Sequence, residues 1–547
     1  MTNPIVKVNN LSVSLPGGAS RNHAVHDISF EIFPRETLCL VGESGSGKSV
    51  VAHSILGLLP NALTITTGTI EWQGRDIARL EDRAMRHLRG REISMVFQEP
   101  GTALNPLATC GAQVLEAIAM HEPQRATKDA VVRGLTEVGL PDPERIMRAY
   151  PFELSGGQRQ RVAIAMALAN APKMIIADEP TTALDVATQA KILDLFKMTQ
   201  NAQERPALLF ITHDLAVVAE IADKVAVMKD GRIVEAGLAA DVLTRPQHPY
   251  TQALCSAVFA PPRAQAREST VKDTALKLSG IAKSYRKRGG WNRKVTTVAA
   301  LKPMSLSIAR GECLAVVGES GSGKSTLARV ATGLEPVSQG VIEMTPKAAP
   351  GYRIMTPTDC ARHVQMVFQD PATSLNPRMP ILETVTRGAR AQGMARKDAN
   401  ARATELMRAV GLEPEMLTRY PAEFSGGQRQ RIAIARALML APEILVADEA
   451  ISALDVLVQV QVLDLLNTLR HQFGLTLLFI THDLRAAAAI ADKVLVMQTG
   501  HVVEYGAAEQ VFENPTHPYT KTLLAAVPGR RRHAQAPDPS VSCSLPD

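Results

Sequence analysis

The stretch ETLCLVGESGSGKSVV, residues 36–51, places a glycine-rich loop between an apolar run and a helical pattern. The centre of this stretch, GESGSGKS at 42–49, has the spacing GxxxxGK[ST]. Glycines at these positions let backbone N–H groups converge on a phosphate, and the N-terminus of the following helix adds positive potential. The loop therefore predicts a phosphate-binding site, in which Lys48 reaches the β- and γ-phosphates and the hydroxyl of Ser49 binds Mg²⁺.

The chain contains this loop twice, because GESGSGKS returns at 318–325. Five other motifs return in the same order, namely MVFQEP and MVFQDP at Gln98 and Gln369, SGGQRQR at Ser155 and Ser425, ADE at Asp178 and Asp448, ITHDL at His213 and His482, and HPYT at His248 and His517. A repeat on this scale indicates a duplicated domain. The expected limits are a first domain at 1–257, a polar linker at 258–275, a second domain at 276–528 and a disordered tail at 529–547.

Length and composition exclude several classes of protein. The chain has 547 residues, too many for one hydrophobic core, and its 46% hydrophobic, 21% charged and 4% aromatic residues are typical of a soluble α/β protein. No apolar run reaches the roughly 18 to 20 residues of a membrane helix, and the N-terminus lacks the pattern of a secretory signal. The six cysteines form no CxxC pair, which argues against disulfides and zinc ribbons. The lack of a membrane helix and of a secretory signal predicts a cytosolic protein. A net charge of +6 on 547 residues is a weak bias that an anionic nucleotide or a lipid surface explains as well as nucleic acid does, so no nucleic-acid partner is expected.

Each half alternates short β-rich runs with helical patterns. This alternation predicts a mostly parallel sheet with helices on both faces. The stretch between Gln98 and Ser155 is helical in pattern and predicts a helical subdomain inserted in that core. The runs IVKVNNLSVSL at 5–15 and GTIEWQG at 68–74 predict a small antiparallel flank.

Two acidic pairs follow apolar runs, in MIIADE at 174–179 and ILVADE at 444–449. A buried strand that ends in two carboxylates fits a phosphate site better than a solvated turn, given the loop that precedes it. Successive strand residues point to opposite sides, so one carboxylate can bind Mg²⁺ while its neighbour polarises water. We assign Asp178 and Asp448 to magnesium and Glu179 and Glu449 to the water.

The two SGGQRQR motifs, at 155–161 and 425–431, resemble the signature of the ABC ATPase family, and the resemblance covers nearly the whole chain. It implies an α/β fold of two tandem P-loop NTPase (ABC ATPase) domains, each with a mainly parallel RecA-like core, an antiparallel β flank and an inserted helical subdomain. Family members pack two such domains head to tail, so each ATP lies between the phosphate loop of one and the signature of the other. A serine that caps a helix can offer its hydroxyl, backbone N–H groups and helix dipole to a γ-phosphate. The implied cofactors are ATP and Mg²⁺.

The residues expected at the two sites follow from these motifs. The nucleotide contacts are Gly42, Glu43, Ser44, Gly45, Ser46, Gly47, Lys48, Ser49, Gly318, Glu319, Ser320, Gly321, Ser322, Gly323, Lys324, Ser325 and Thr326 in the loops, Ser155, Gly156, Gly157, Gln158, Ser425, Gly426, Gly427 and Gln428 in the signatures, and Tyr285. The metal contacts are Ser49, Gln98, Asp178, Ser325, Gln369 and Asp448. The catalytic residues are Glu179, Glu449, His213, His482, Gln98 and Gln369.

Several of these roles rest on the resemblance alone. Gln98 and Gln369 resemble the glutamine that contacts Mg²⁺ or the lytic water, and His213 and His482 resemble the switch histidine at the γ-phosphate. The two ALD motifs, which contain Asp185 and Asp455, resemble the loop that links the two nucleotide sites in the family. Tyr285 matches the aromatic residue that usually stacks on adenine, whereas Leu15, at the equivalent place in the first half, departs from the pattern.

The resemblance favours a transporter over other tandem ATPases. The short linker, the lack of CxxC pairs and the lack of sustained heptads fit neither the ribosome-acting nor the DNA-repair relatives, which remain the alternative. RPQHPYTQAL at 245–254 and NPTHPYTKTL at 514–523 look like the C-terminal segment of the peptide/nickel importer subfamily. This resemblance to the subfamily implies two transmembrane permease subunits, an extracytoplasmic solute-binding protein and a peripheral location on the cytoplasmic face of the inner membrane. Dipeptide, oligopeptide, glutathione and nickel all remain open as cargo.

Overall fold

The computed structural model describes residues 3–17, 21–182, 184–201, 205–259, 273–287, 296–346, 351–452 and 454–528. The chain divides into two compact units, each made mostly from one half of the sequence. The linker predicted at 258–275 lies mostly outside the described residues, and the tail predicted at 529–547 lies wholly outside them.

The first unit contains ten strands and eleven α-helices among its described residues. Its strands are β1 (Val6–Ser14), β2 (His23–Ile32), β3 (Thr37–Val41), β4 (Thr64–Trp72), β5 (Arg75–Asp76), β6 (Ile93–Val96), β7 (Met174–Asp178), β8 (Ala207–Thr212), β9 (Lys224–Lys229) and β10 (Arg232–Leu238). Its helices are α1 (Lys48–Ile55), α2 (Asp82–Leu88), α3 (Pro100–Ala103), α4 (Cys110–Ala119), α5 (Lys128–Glu137), α6 (Pro143–Arg148), α7 (Gly156–Leu168), α8 (Val186–Asn201), α9 (Leu215–Ile221), α10 (Ala239–Thr244) and α11 (Pro249–Phe259).

A six-stranded sheet forms the core of this unit, in the order β10-β9-β3-β8-β7-β6. All its neighbouring strands pair in parallel except β10, which is antiparallel to β9. Every residue of β3, β7 and β8 is buried, which explains why these strands read as continuous apolar runs rather than as alternating patterns. The predicted parallel core is confirmed.

The other two predicted parts of the unit are also present. Strands β2-β1-β4-β5 form a separate four-stranded antiparallel sheet, which is the expected flank. Helices α3 to α6 fill the chain between β6 and the signature motif, without a strand among them. The inserted helical subdomain is therefore confirmed.

The second unit repeats this plan. Its strands are β11 (Thr274–Lys287), β12 (Thr296–Ala309), β13 (Cys313–Val317), β14 (Gln339–Met344), β15 (Arg353–Ile354), β16 (Val364–Val367), β17 (Ile444–Asp448), β18 (Thr476–Ile480), β19 (Lys493–Gln498) and β20 (His501–Ala507). Its helices are α12 (Lys324–Ala331), α13 (Pro357–His363), α14 (Pro371–Ser374), α15 (Ile381–Ala391), α16 (Arg396–Ala409), α17 (Gly426–Leu438), α18 (Val456–Phe473), α19 (Leu484–Ile490), α20 (Ala508–Glu513) and α21 (Pro518–Ala525). The core sheet runs β16-β17-β18-β13-β19-β20 and the flank runs β12-β11-β14-β15.

The parallel strands position the candidate site. In the first unit β3, β6, β7 and β8 all end at one edge of the sheet, and the phosphate loop, Gln98, Glu179 and His213 follow these ends. Ligands of open α/β sheets bind at the carboxyl edge of the strands. Among the described residues, no helix is long and apolar enough to cross a membrane.

Candidate nucleotide-binding sites

The first phosphate loop closes around the ammonium group of its own lysine. Lys48 begins α1 and is 4% exposed, and its Nζ donates to the carbonyl oxygens of Gly42 at 2.7 Å and Glu43 at 2.8 Å. A side chain at Gly42 would place its Cβ 2.2 Å from the carbonyl oxygen of Met228, so only glycine fits there. Ser44 and Gly45 are exposed at the tip of the loop, where a ligand can reach them.

The second loop has the same geometry, as its identical sequence requires. Lys324 Nζ donates to the carbonyl oxygens of Gly318 at 2.7 Å and Glu319 at 2.8 Å. Burial lowers the pKa of Lys324, so a negatively charged ligand beside it would be stabilising. Thr326 lies in the first turn of α12, and Ser320 is exposed at the tip of the loop.

The residues expected to bind magnesium meet in both units. Ser49 Oγ donates to Asp178 Oδ1 at 3.2 Å, and Ser325 Oγ donates to Asp448 Oδ1 at the same distance. Burial raises the pKa of Asp178 and of Asp448, and the negative charge of the neighbouring glutamate raises it further. A bound cation would offset the repulsion between the two neighbouring carboxylates. The described residues include no cluster of three or more His, Cys, Asp or Glu side chains suited to a metal. Magnesium fits this oxygen pair only with further ligands from phosphate or water.

The backbone at each acidic pair differs from the continuous strand that the sequence predicted. We predicted that strand alternation separates Asp178 from Glu179, but β7 ends at Asp178 and Glu179 has a left-handed backbone with φ 45°. Its N–H donates to the carbonyl oxygen of Ile211 on β8 at 2.9 Å, which holds this uncommon conformation. Glu449 repeats it with φ 48°. Strained backbone of this kind clusters at functional sites.

Three side chains converge on the carboxylate of Glu179. Its Oε2 accepts hydrogen bonds from Gln98 Nε2 at 3.1 Å and Thr182 Oγ1 at 2.9 Å, and it lies 3.3 Å from His213 Nδ1. Burial works to raise the pKa of Glu179, but the contact with His213 and the hydroxyl of Thr182 outweigh it and lower that pKa to about 2. The predicted catalytic residues are therefore brought together, with the glutamate ionised.

The second unit builds a similar cluster with one difference. Glu449 Oε2 accepts from Gln369 Nε2 at 2.7 Å, and Oε1 lies 3.4 Å from His482 Nδ1. The pKa of Glu449 is lowered against the effect of burial, while that of His482 is raised against it, since each group stabilises the charge of the other. Ser452 occupies the place of Thr182 but donates to the backbone carbonyl oxygen of Glu449 at 3.0 Å.

The signature motifs begin capped helices, as the sequence predicts. Ser155 precedes α7, and its Oγ accepts from Gln158 N at 3.3 Å while Gln158 Oε1 accepts from Ser155 N at 3.0 Å. Ser425 and Gln428 form the same capping box at α17. Gly157 lies so close to α8 that a Cβ would come 2.3 Å from Thr188 Cγ2.

The two loops thought to link the sites precede helices. Asp185 comes directly before α8, and Asp455 is the N-cap residue of α18.

The register of the flank sheets supports the alignment of Leu15 with Tyr285. Tyr285 pairs with Val298 across β11 and β12, and Leu15 N donates to Asn22 O at 2.9 Å in the equivalent hairpin. Both side chains are half-buried. The first unit therefore lacks an aromatic ring at the place where the second unit has one.

Sequence reasoning missed three contacts to the phosphate loops. The hydroxyl of Tyr250 accepts a hydrogen bond from Glu43 N at 3.1 Å, and that of Tyr519 accepts one from Glu319 N at 3.1 Å. Both tyrosines belong to the repeated HPYT motif, which we had used only to recognise a subfamily. In the first unit the guanidinium of Arg21 also donates to a phosphate-loop carbonyl oxygen, that of Gly45.

Comparison with known proteins agrees with this geometry. A family model described as ABC transporter matches residues 25–182 and 301–452, and one described as oligopeptide/dipeptide transporter, C-terminal region, matches 234–288 and 503–543. The peptidoglycan transport ATP-binding protein YejF of Agrobacterium fabrum is 44% identical over 96% of this chain and 96% of its own. The glutathione import ATP-binding proteins GsiA of Escherichia coli K12 and Shigella dysenteriae are each 42% identical over 97% of this chain and 91% of theirs.

Both halves thus carry a phosphate loop, an acidic pair and a signature helix, and both halves match the same family model. The similarity to the relatives extends along almost the whole chain. The chain therefore belongs to the ABC transporter family, as an ATP-binding ATPase with two nucleotide-binding units in one polypeptide.

Proposed function

We propose that the chain energises an importer for peptides or related small solutes across the cytoplasmic membrane, with dipeptides, oligopeptides, glutathione and nickel as the candidate cargo. One observation carries the proposal: both halves end in the segment typical of oligopeptide and dipeptide transporters. The relatives named for glutathione import and peptidoglycan transport support the same reading. An ATPase of translation or DNA repair, the alternative, finds no support in these similarities.

Each unit supplies the groups for ATP hydrolysis. The amides of the phosphate loop and Lys48 would bind the β- and γ-phosphates, while Ser49, Asp178 and Gln98 would hold Mg²⁺. When bound, the metal neutralises charge on the phosphate oxygens. Lys324, Ser325, Asp448 and Gln369 have the same roles in the second unit.

The carboxylate of Glu179 acts on the attacking water. In the described state its Oε2 accepts from Gln98 Nε2 and lies 3.3 Å from His213 Nδ1, so this oxygen already has protein partners. We propose that, with ATP bound, His213 would contact the γ-phosphate and Gln98 would be a ligand of the metal, so that Oε2 of Glu179 would be available to the water. The carboxylate then orients and polarises the water as the water attacks the γ-phosphate.

The signature helices are proposed to contribute to the nucleotide sites, as the family resemblance implies. The capped helices at Ser155 and Ser425 offer N–H groups suited to a γ-phosphate. Each site then has a full set of groups, so both are expected to hydrolyse ATP.

The remaining partners are proposed from the family. We infer that two permease chains span the membrane, that an extracytoplasmic solute-binding protein delivers the cargo, and that this chain lies at the cytoplasmic face. Cargo is then selected by those partners rather than by this chain.

The test is co-purification with candidate permease chains, reconstitution in vesicles and measurement of ATP-driven uptake of each candidate solute. The matched control is the Glu179→Gln, Glu449→Gln double variant, which keeps the chain in the complex without turnover. The proposal expects uptake of at least one peptide-like solute by the wild type alone. ATPase activity that responds to ribosomes or DNA and to no permease would contradict it.

A further inference from the structure

The C-terminal segment of each unit is anchored by a carboxylate on the last strand of the core sheet. Glu235 on β10 accepts from Gln247 N at 2.8 Å and His248 N at 3.0 Å. Burial opposes ionisation of Glu235, but these backbone donors prevail and hold its pKa below the ordinary value. The segment that precedes α11 is therefore fixed to the sheet before the helix begins.

The anchored segment places one tyrosine at the phosphate loop. His248 Nδ1 accepts from Tyr250 N at 3.2 Å, which sets the first turn of α11. The ring of Tyr250 is 6% exposed, and its hydroxyl receives the N–H of Glu43 at 3.1 Å. The segment thus reaches the second residue of the loop GESGSGKS.

This contact holds one end of a single peptide unit whose other end is held by the loop lysine. The peptide between Gly42 and Glu43 presents its carbonyl oxygen to Lys48 Nζ at 2.7 Å and its N–H to the hydroxyl of Tyr250. Glycine permits many backbone orientations, so a peptide plane beside it needs such restraint. The orientation of this plane fixes one of the two carbonyl oxygens to which Lys48 Nζ donates.

The second unit contains the same chain of contacts with different neighbours. Glu504 on β20 accepts from Thr516 N at 2.8 Å and His517 N at 3.1 Å. His517 Nδ1 accepts from Tyr519 N at 3.1 Å, and the hydroxyl of Tyr519 accepts from Glu319 N at 3.1 Å. Burial raises the pKa of Tyr519, so the phenol stays neutral at physiological pH.

We propose that Tyr250 and Tyr519 are positioning residues that pre-organise the phosphate loop of their own unit for ATP. The C-terminal segment is in this way part of the nucleotide site, in addition to being a mark of the subfamily. The inference rests on the proposed role of the loops in binding ATP. Removal of the hydroxyl leaves the N–H of Glu43 or Glu319 without its acceptor, and loss of one net hydrogen bond corresponds to an affinity about three- to tenfold weaker.

The test is Tyr519→Phe in the full chain that also carries Lys48→Ala, so that only the second unit binds nucleotide. Affinities for ATP and for tripolyphosphate are measured by calorimetry, and thermal unfolding is recorded without ligand. The control is Tyr352→Phe in the same background, since that ring is exposed on the flank of the same unit. Tyr250→Phe with Lys324→Ala repeats the test on the first unit.

The expected result is a three- to tenfold loss of affinity for both ATP and tripolyphosphate in Tyr519→Phe, with affinities unchanged in Tyr352→Phe. A loss of affinity for both ligands would mean that the hydroxyl acts on the phosphate loop. A general effect on the stability of the unit would not act on phosphate binding in particular. Unchanged affinities in Tyr519→Phe would overturn the inference, whatever the melting temperature does, and would leave the nucleotide sites intact. Binding of ATP to the Lys48→Ala, Lys324→Ala double variant would instead overturn the proposed sites, and the inference with them.

Discussion

The two units are expected to differ in how tightly they hold adenine. By the family resemblance, Tyr285 in the second unit is proposed to stack on adenine, and the first unit has Leu15 at the equivalent position. Tyr285→Leu should therefore weaken ATP binding at the second unit, and Leu15→Tyr should tighten it at the first. The substitutions exchange the two side chains and leave both phosphate loops unchanged.

The structure sets the size of this effect near the lower limit for stacking. Stacking of a base on an aromatic ring contributes about 1 to 3 kcal/mol. Two features reduce the effect. The ammonium of Lys283 lies 5.1 Å from the ring centroid of Tyr285, and part of the ring therefore already has a partner. A leucine at this position would also keep some apolar contact with the base. A difference of about 1 to 1.4 kcal/mol remains, which is a five- to tenfold change in affinity.

The assay reads one unit at a time. Lys48→Ala leaves only the second unit able to bind, and Lys324→Ala leaves only the first. Affinities for ATP and tripolyphosphate are compared in each background, because an adenine effect appears with ATP and is absent with tripolyphosphate. Arg21→Thr is added in the first unit to remove a second difference between the two sites. The guanidinium of Arg21 contacts the phosphate loop, whereas Thr297 stands at the equivalent position of the second unit.

The outcome decides between stacking and packing. If Tyr285→Leu and Leu15→Tyr leave the ATP affinities of their units unchanged, the aromatic position does not distinguish the two sites. Equal losses for ATP and tripolyphosphate would also refute the reasoning, because they would mean that the ring acts through the phosphate loop.

Three further results are expected. Glu179→Gln and Glu449→Gln should each lower ATP turnover by about 10²-fold or more while ATP binding persists, as measured by steady-state hydrolysis beside equilibrium binding; a variant that keeps full turnover would contradict the role of its carboxylate. The imidazole of His482 should titrate above its ordinary pKa of 6.5, as followed by NMR, and its pKa should fall in Glu449→Gln, because burial then acts without the opposing carboxylate. The stability that this ion pair contributes should be complete below about pH 6.5 and lost as the pH rises through the raised pKa, and titration at the ordinary pKa in the wild type would be inconsistent with the pairing. Gly318→Ala should abolish ATP binding at the second unit, because its Cβ would lie 2.2 Å from a backbone oxygen. Gly388→Ala on α15, which has open space around it, should leave ATP binding unchanged. Equal affinities of the two variants for ATP would show that the close approach at Gly318 is not required.

The fold could be predicted from the sequence because its signals are local. The buried strands β3, β7 and β8 are continuous apolar runs, and the glycine loop lies between a strand and a helix, as its motif requires. The repeat supplied a second, independent copy of every signal. Local periodicity and motif order were therefore enough to derive the parallel core, the antiparallel flank and the helical insertion.

The details of the site depended on contacts that no local pattern contains. The hydroxyl of Tyr250 meets the N–H of Glu43 across 207 positions of sequence. The left-handed backbone of Glu179 depends on a hydrogen bond to Ile211 on a neighbouring strand. The identities of the site residues could be read from motifs, but their mutual contacts required the folded sheet that brings strand ends together.

The number of ATP molecules bound per chain tests the central claim of two complete nucleotide sites most directly. The Glu179→Gln, Glu449→Gln double variant is suited to this measurement, because it should hold ATP without hydrolysing it. Equilibrium binding of labelled ATP to this variant is expected to saturate at about two molecules per chain, and at about one when Lys48→Ala or Lys324→Ala is added. Saturation at one molecule before either lysine is replaced would contradict the account, as would two molecules after one lysine is removed.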